Sequence, residues 1–350
     1  WNAPLIISPH QPQTIYYGGN RLFKSVDRGD TWTVLGPDLT RRTPNSKILG
    51  NTLATIAESP MRPGLIYGGT DDGKLWVTRD DGKTWTDLSE KVPGLPPQRW
   101  ITRVEPSHFD SATVYVTISR TRNDDDSVYV FRSADFGATW SSITKGLPSK
   151  GQAHVIRESS RSRDLLFLGT DQGLFASTNR GADWHKLRQV PTAPVMDLLI
   201  HPRDRELIVA THGRSLYVVD IAPLEEAAAA GMPTGTTLFT VRPAIATEQV
   251  RTQAAPASIV GQNPPFGAVI YYYLSDAAKE SPRVLIRDAA GKQVAALEGA
   301  RDAGLRRVVW NLRERAGGSL VKPGEYSAVL IVGGNEYVQK IKVAAAVSDG

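Results

Sequence analysis

Apolar residues in this chain fall in short alternating runs broken by Gly, Pro, Asn and Asp, not in long amphipathic stretches. Alternation on both sides of a glycine-containing turn predicts β-hairpins. Thr14-Ile15-Tyr16-Tyr17-Gly18-Gly19-Asn20 leads into Leu22-Phe23, Leu65 to Gly73 into Leu75-Trp76, and Leu165 to Gly173 into Leu174-Phe175. A further copy, Leu207 to Gly213, leads into Leu216-Tyr217. Ahead of the hairpins lie apolar segments that mostly end in proline, such as Leu5 to Pro9, Ile56 to Pro60, Val104 to Pro106 and Leu198 to Pro202. These are expected to be innermost strands.

A second motif follows four of the hairpins at regular intervals. It reads Ser/Thr-x-Asp-x-Gly-x-Thr-Trp at Ser25–Trp32, Thr78–Trp85 and Ser133–Trp140, with a weaker copy at Ser177–Trp184. Its third position (Asp27, Asp80, Asp135, Asn179) steps by 53, 55 and 44 residues, which suits one four-stranded propeller blade per repeat. The chemistry of the motif is structural. The Asp side chain accepts backbone N–H bonds one or two residues on, and Gly29, Gly82, Gly137 and Gly181 supply positive φ. Trp32, Trp85, Trp140 and Trp184 offer large apolar faces to pack between sheets. A catalytic acid would not recur in every blade.

The blades are expected at about 1–40, 48–92, 98–147, 151–189 and 193–222, the last without its outer strand. Five blades, one of them incomplete, would leave unpaired edges and apolar faces. The expectation is therefore the C-terminal blades of a larger β-propeller spanning 1–222, the rest and the closing strand coming from upstream of Trp1. A helix-prone, Ala-rich linker occupies 223–236. After it, dense short strands such as Ala268–Leu274, Arg283–Asp288 and Arg307–Leu312 predict an immunoglobulin-like β-sandwich over 237–345, with Trp310 and Tyr326 in its core. The fold class is all-β throughout.

Composition narrows the function classes. The chain of 350 residues has no cysteine, which excludes disulfide scaffolds and thiolate chemistry. Its net charge of +5 is concentrated in no arm, so no nucleic acid is expected as a partner. No apolar run is long enough for a membrane span. No signal peptide is visible.

The motifs at Ser25–Trp32, Thr78–Trp85 and Ser133–Trp140 resemble the Asp-box (BNR) repeats of sialidases, oligoxyloglucanase-type glycoside hydrolases and the sortilin propeller. With Gly18–Phe23, Gly69–Gly73, Arg122–Asp125 and Thr211–Arg214, the chain is most similar to bacterial sortilin N-terminal-like and glycosyl-hydrolase-like propeller proteins. The segment Ile286 to Tyr326 is similar to the FlgD-like immunoglobulin domain of the flagellar hook-capping protein. The resemblance implies an exported bacterial protein, extracytoplasmic in the periplasm, secreted or at the cell surface. It carries no settled reaction with it.

On a propeller, loops joining second to third strands and outer strand to next blade share one face, opposite the Asp turns. Ligand-binding candidates on that face are Arg41 and its neighbour Arg42, Arg99 with Trp100, Arg122, Asp124, and His212 with Arg214. Arg99 and Trp100 suit an anionic or sugar ligand, by hydrogen bonding and stacking, against the plainer reading of a structural Trp beside a surface Arg. The run Asp124–Asp126 suits calcium, but it lacks EF-hand spacing and reads more simply as a solvated loop. No metal or cofactor is expected otherwise, and no catalytic residue is assigned. A glycosidase needs two carboxylates about 5–10 Å apart, for which Asp71 or Asp72 with Asp171 are the candidates. Arg21, Arg103 and Arg214 are the arginines a sialidase would draw on. The first expectation is a binding or scaffold protein whose partner is a protein or a carbohydrate. The alternatives are a glycoside hydrolase with part of its carboxylate pair elsewhere, and a subunit of a larger envelope assembly completed by the missing N-terminal blades or another chain.

Overall fold

The computed structural model describes residues 3–41, 50–94, 96, 98–247, 266–314 and 317–346. The chain divides into two compact units, Trp1–Ala230 and Gly231–Gly350. Regular structure among the described residues is nearly all β, with one α-helix.

The first unit holds five antiparallel meanders, each running from first to last strand in chain order. The first sheet is β1–β4 (Leu5–Ile7, Ile15–Gly18, Leu22–Ser25, Thr33–Leu35) and the second is β5–β8 (Leu53–Glu58, Ile66–Thr70, Leu75–Thr78, Thr86–Asp87). The third is β9–β12 (Trp100–Pro106, Val114–Arg120, Asp125–Ser133, Ser141–Ser142) and the fourth β13–β16 (Ala153–Glu158, Leu166–Thr170, Gly173–Ser177, His185–Lys186). The fifth has three strands, β17–β19 (Val195–His201, Glu206–Thr211, Leu216–Asp220), after which the chain enters α1 (Ala222–Ala230).

Side-chain alternation explains why these sheets stack. In β6 all five residues are buried, because both faces of the second sheet are covered. Tyr67, Val77 and Leu75 pack with Ile101, Val104 and Val116 of the third sheet. Ile56, Ile66 and Trp76, on the other side, meet Tyr16 and Leu22 of the first. First strands adjoin one another, β5 against β9, β9 against β13 and β13 against β17. Arg103 of β9 reaches Asp197 of β17, two sheets away, at 2.7 Å. The first strands therefore converge on a common axis, with the later strands radiating outward, which is a β-propeller arrangement. Helix α1 packs against the fourth and fifth sheets: Ala228 joins their core, and Glu225, 3% exposed, accepts from Arg205 Nε at 2.6 Å and Ser159 Oγ at 2.8 Å.

The turns before β4, β8, β12 and β16 share one geometry. The fourth and fifth positions both take left-handed backbone: Arg28 and Gly29 at φ 63° and 104°, Asp81 and Gly82 at 58° and 84°. Asp27 accepts the Thr31 N–H at 2.9 Å and its hydroxyl at 2.6 Å, four residues on, while the Gly29 N–H goes to Ser25 Oγ at 2.8 Å. Asp80 with Thr84 and Asp135 with Thr139 repeat this, and Asn179 accepts from the Asp183 N–H at 2.9 Å. These bonds hold Asp27, Asp80 and Asp135 at a pKa of about 2. The division of labour differs from the sequence expectation: the Asp bridges the whole turn and the Ser or Thr hydroxyl takes the nearer N–H.

The second unit is built of two sheets over one core. One comprises β20, β22 and β25 (Thr237–Leu238, Ala268–Leu274, Gly304–Trp310); the other is ordered β21-β27-β26-β23-β24 (Ala244–Ala246, Asn335–Ala345, Gly324–Val332, Arg283–Asp288, Gln293–Glu298). Ile270, Tyr272 and Trp310 from the first meet Ile286, Leu330 and Ile341 from the second. Trp310 is fully buried, and its ring lies 5.2 Å from that of Tyr326.

Candidate functional site

The turn between β6 and β7 gathers several of the side chains picked out from sequence. Thr70 Oγ1 donates to Asp72 Oδ1 at 2.5 Å, and the backbone N–H of Arg41 donates to Asp72 Oδ2 at 2.7 Å. Arg41 Nε also reaches the Asp72 carbonyl at 3.3 Å. From the opposite side Arg99 donates to the carbonyls of Gly73 and Ser89. Arg99 is only 4% exposed, so its guanidinium bolts the entry of the third sheet onto the second. Burial is the main cause of its lowered pKa, with Arg41 and Arg120 adding to it against Glu90 and Asp87.

Trp100 opens β9 beside this bolt, and the Arg122 guanidinium lies 4.5 Å from its ring centroid. Arg122 sits in an exposed single-turn helix, Thr121–Asn123. That loop is stiffened from below, where Arg120 pairs with Asp125, and Asp125 also accepts from Tyr129 Oη at 2.8 Å. Asp124 is exposed and left-handed, at φ 56°. Arg41, Arg99, Trp100 and Arg122 thus lie together on the loop face of the second and third sheets. His212 and Arg214 lie exposed on the β18–β19 turn of the fifth sheet, where the His212 N–H meets the Pro194 carbonyl at 2.8 Å. They therefore belong to a different sheet from the rest of the set. Arg42 lies outside the described residues.

The candidate carboxylates are each turned onto their own blade. Asp71 accepts the Thr52 N–H at 3.0 Å, and Asp171 accepts the Gln152 N–H at 2.9 Å and meets His154 Nε2 at 2.7 Å. Asp71 is 6% exposed; burial raises its pKa, and its Oδ2 has no partner among the described residues. Two equivalent turns use the same side chain to fix where the first strand enters, which is a positioning role.

Arg103, one of the arginines picked out from sequence, lies on the first strands among charged residues that the sequence did not single out, Glu105, Arg157 and Asp197. Arg157 Nη1 pairs with Glu105 at 2.8 Å, its Nε donates to the Leu198 carbonyl at 2.8 Å, and Asp197 lies between Arg103 and Arg157. Arg103, Glu105 and Arg157 border a cleft of about 250 Å³ with Ile6, Ile56 and His108. Their signal in the sequence was charge set into otherwise apolar strands, with Arg103 and Glu105 at alternate positions of β9. On the Asp-turn face, a second cavity of about 330 Å³ between the third and fourth sheets is lined by Arg132, Arg163 and Arg180 around Glu158. Glu158 is 3% exposed and accepts from Ser107 Oγ, the His108 N–H and Tyr115 Oη, yet burial pushes its pKa up to about 7. Among the described residues no group of three or more His, Cys, Asp or Glu is placed to hold a metal ion. No helix among them is long and apolar enough to cross a membrane.

No protein-family model and no curated protein matches the chain. Among solved structures it is similar to the β-propeller domain of Cps50 (Swd1) from Myceliophteria thermophila, with TM-score 0.50 and 12% identity over 96% of each chain. It is also similar to the GH74 xyloglucanase from Xanthomonas campestris (TM-score 0.47, 14% identity, 96% of this chain and 57% of that one). PorZ, a surface component of the type-IX secretion system of Porphyromonas gingivalis, gives TM-score 0.45 and 15% identity over 97% of this chain and 51% of that one. The chain spans only 38% of an ancestral GH74 enzyme. The first of these likenesses shows the fold, a β-propeller, and nothing of activity.

Proposed function

We propose that this chain is a binding or scaffold propeller, and that its loop face around Trp100 and Arg122 takes an acidic segment of a protein partner. The observation that carries this reading is the Arg122 guanidinium stacked at 4.5 Å on Trp100, on a loop held by the Arg120–Asp125 pair. Tryptophan and arginine dominate the energetics of protein interfaces, and a pre-ordered pair binds at lower entropic cost. Arg41 supplies a second cation at the same rim, while Arg99 acts from beneath as a support. Hydrolysis is the weaker reading, because Asp71 and Asp171 are engaged with backbone N–H groups of their own blades.

The finer family reading goes with this proposal: Asp-box blades from a larger ring, an immunoglobulin-like second domain, and a place outside the cytoplasm. A photo-cross-linker at position 122 in the source organism's envelope identifies the partner, whose purified form is then titrated against the wild-type chain. Trp100→Ala and Arg122→Gln are expected to weaken that affinity by about tenfold or more each. Turnover of a β-linked oligosaccharide that Asp171→Asn abolishes would replace this reading with the hydrolase.

A further inference from the structure

The first four sheets are joined by one repeated socket. In the second, third and fourth sheets the Trp of the Asp turn leans on the sheet before it: Trp85 lies against Gly36 at the end of the first sheet, Trp140 packs with Leu88 of the second, and Trp184 Nε1 donates to the Ile143 carbonyl of the third at 2.7 Å. The turn glycines do the same. A Cβ on Gly82 would strike Leu35, one on Gly137 would strike Leu88, and one on Gly181 would strike Ile143. Each of these apolar residues stands three places after the Trp of its own sheet. Burial follows, with Trp140 8% exposed and Trp184 2%.

The first sheet has its own half of this socket, uncovered. Trp32 is 44% exposed, and a Cβ on Gly29 would meet only the ring of Trp32 within 4 Å. The cross-strand row Leu5, Tyr17, Phe23 and Val34 lies on the same side, opposite the face that carries buried Tyr16 and Leu22. Its counterparts are Ile56, Gly68 and Trp76 in the second sheet and Ile156, Leu168 and Phe175 in the fourth, and there the preceding sheet covers them.

We propose that this flank is the docking face for one further four-stranded sheet of the same Asp-turn type, standing ahead of β1 and setting an apolar residue over Gly29 and Trp32. The inference deepens the larger-ring part of the functional reading and is independent of what the loop face binds. The fifth sheet is not the occupant. It has neither an Asp turn nor a fourth strand, so it lacks the residue three places after the Trp that fills the socket in each of the three joints among the first four sheets.

Oxidation of tryptophan by N-bromosuccinimide, read peptide by peptide by mass spectrometry, tests this on the 1–350 chain and on the intact protein purified from its source. Trp32 is expected to react rapidly in the chain and several-fold more slowly in the intact protein, with Trp184 slow in both. Trp32→Ala is expected to leave the melting temperature of the 1–350 chain unchanged and to lower that of the intact protein. Equal reactivity of Trp32 in both samples overturns the proposal. So does protection that grows with concentration in the 1–350 chain and is lost in Val34→Lys, because the occupant is then a second copy.

Discussion

Single side chains set two opposite pH responses in this molecule. Asp27, Asp80 and Asp135 titrate near 2 in the fold and near 4 once unfolded, so their stabilising contribution is complete above about pH 4 and is lost as pH falls toward 2. Replacing all three by Asn is expected to shrink the drop in urea midpoint between pH 5 and pH 3, apart from any loss of turn geometry. Glu158 has the reverse sign. Its folded pKa of about 7 exceeds the usual 4.5, so the folded state binds more protons between those values and stability falls as pH rises through that window. Glu158→Gln is expected to flatten the stability profile between about pH 5 and 7, a window the aspartates do not reach. Urea titrations at each pH check both.

At the scale of elements, the joints are polar as well as apolar. Tyr16 Oη donates to Glu58 at 3.3 Å, and Tyr115 Oη to Glu158 at 3.2 Å, so each pair ties one sheet to the next. Helix α1 is fastened in the same way, by Glu225. Arg205→Met leaves that carboxylate buried without its cation and is expected to cost about 3 kcal/mol, with faster hydrogen exchange across 222–230 than in β18. Gly137 makes a sharper test of the joint between sheets. It holds φ at 89° and has Leu88 where a Cβ would stand, so Gly137→Ala is expected to cost about 2 kcal/mol in chemical denaturation.

At the scale of the first unit, apolar exposure is concentrated on its two end sheets. Leu199, Leu216 and Val218 of the fifth sheet are 58%, 66% and 59% exposed, and Leu5 and Ile7 of the first are 63% and 64%. Interior sheets show no comparable row among the described residues. Faces of this kind mark interaction surfaces, and β19 offers an unpaired strand edge beside one of them. The double variant Leu216→Lys/Val218→Lys is expected to reduce whatever self-association sedimentation velocity detects in the wild-type chain while leaving the melting temperature within a degree or two, since neither side chain belongs to the core.

The local order of this protein was legible in its residues. Period-two alternation, Gly-containing hairpins and the Ser/Thr-x-Asp-x-Gly-x-Thr-Trp repeat act over a few positions, so they determine strand, turn and repeat length without help from distant parts of the chain. An all-β chain and a propeller fold followed from them. The helix at 222–230 was readable as helix-prone from its alanines, but its attachment through Glu225 to Arg205 and Ser159 was not, since those partners lie 20 and 66 positions away. The same limit applied to function. Arg99 and Trp100 look alike as site residues in sequence, and only the packing of the second sheet against the third buries one as a support and leaves the other under Arg122 at the surface. Asp71 and Asp171 are read from sequence as candidates for a converging pair, and the hydrogen bonds each accepts from its own blade, from the Thr52 and Gln152 N–H groups, are visible only in the fold. Spacing along the chain determines which bonds a turn makes; which side chains are left over for a partner depends on contacts between sheets, and those exist only once the stack has formed.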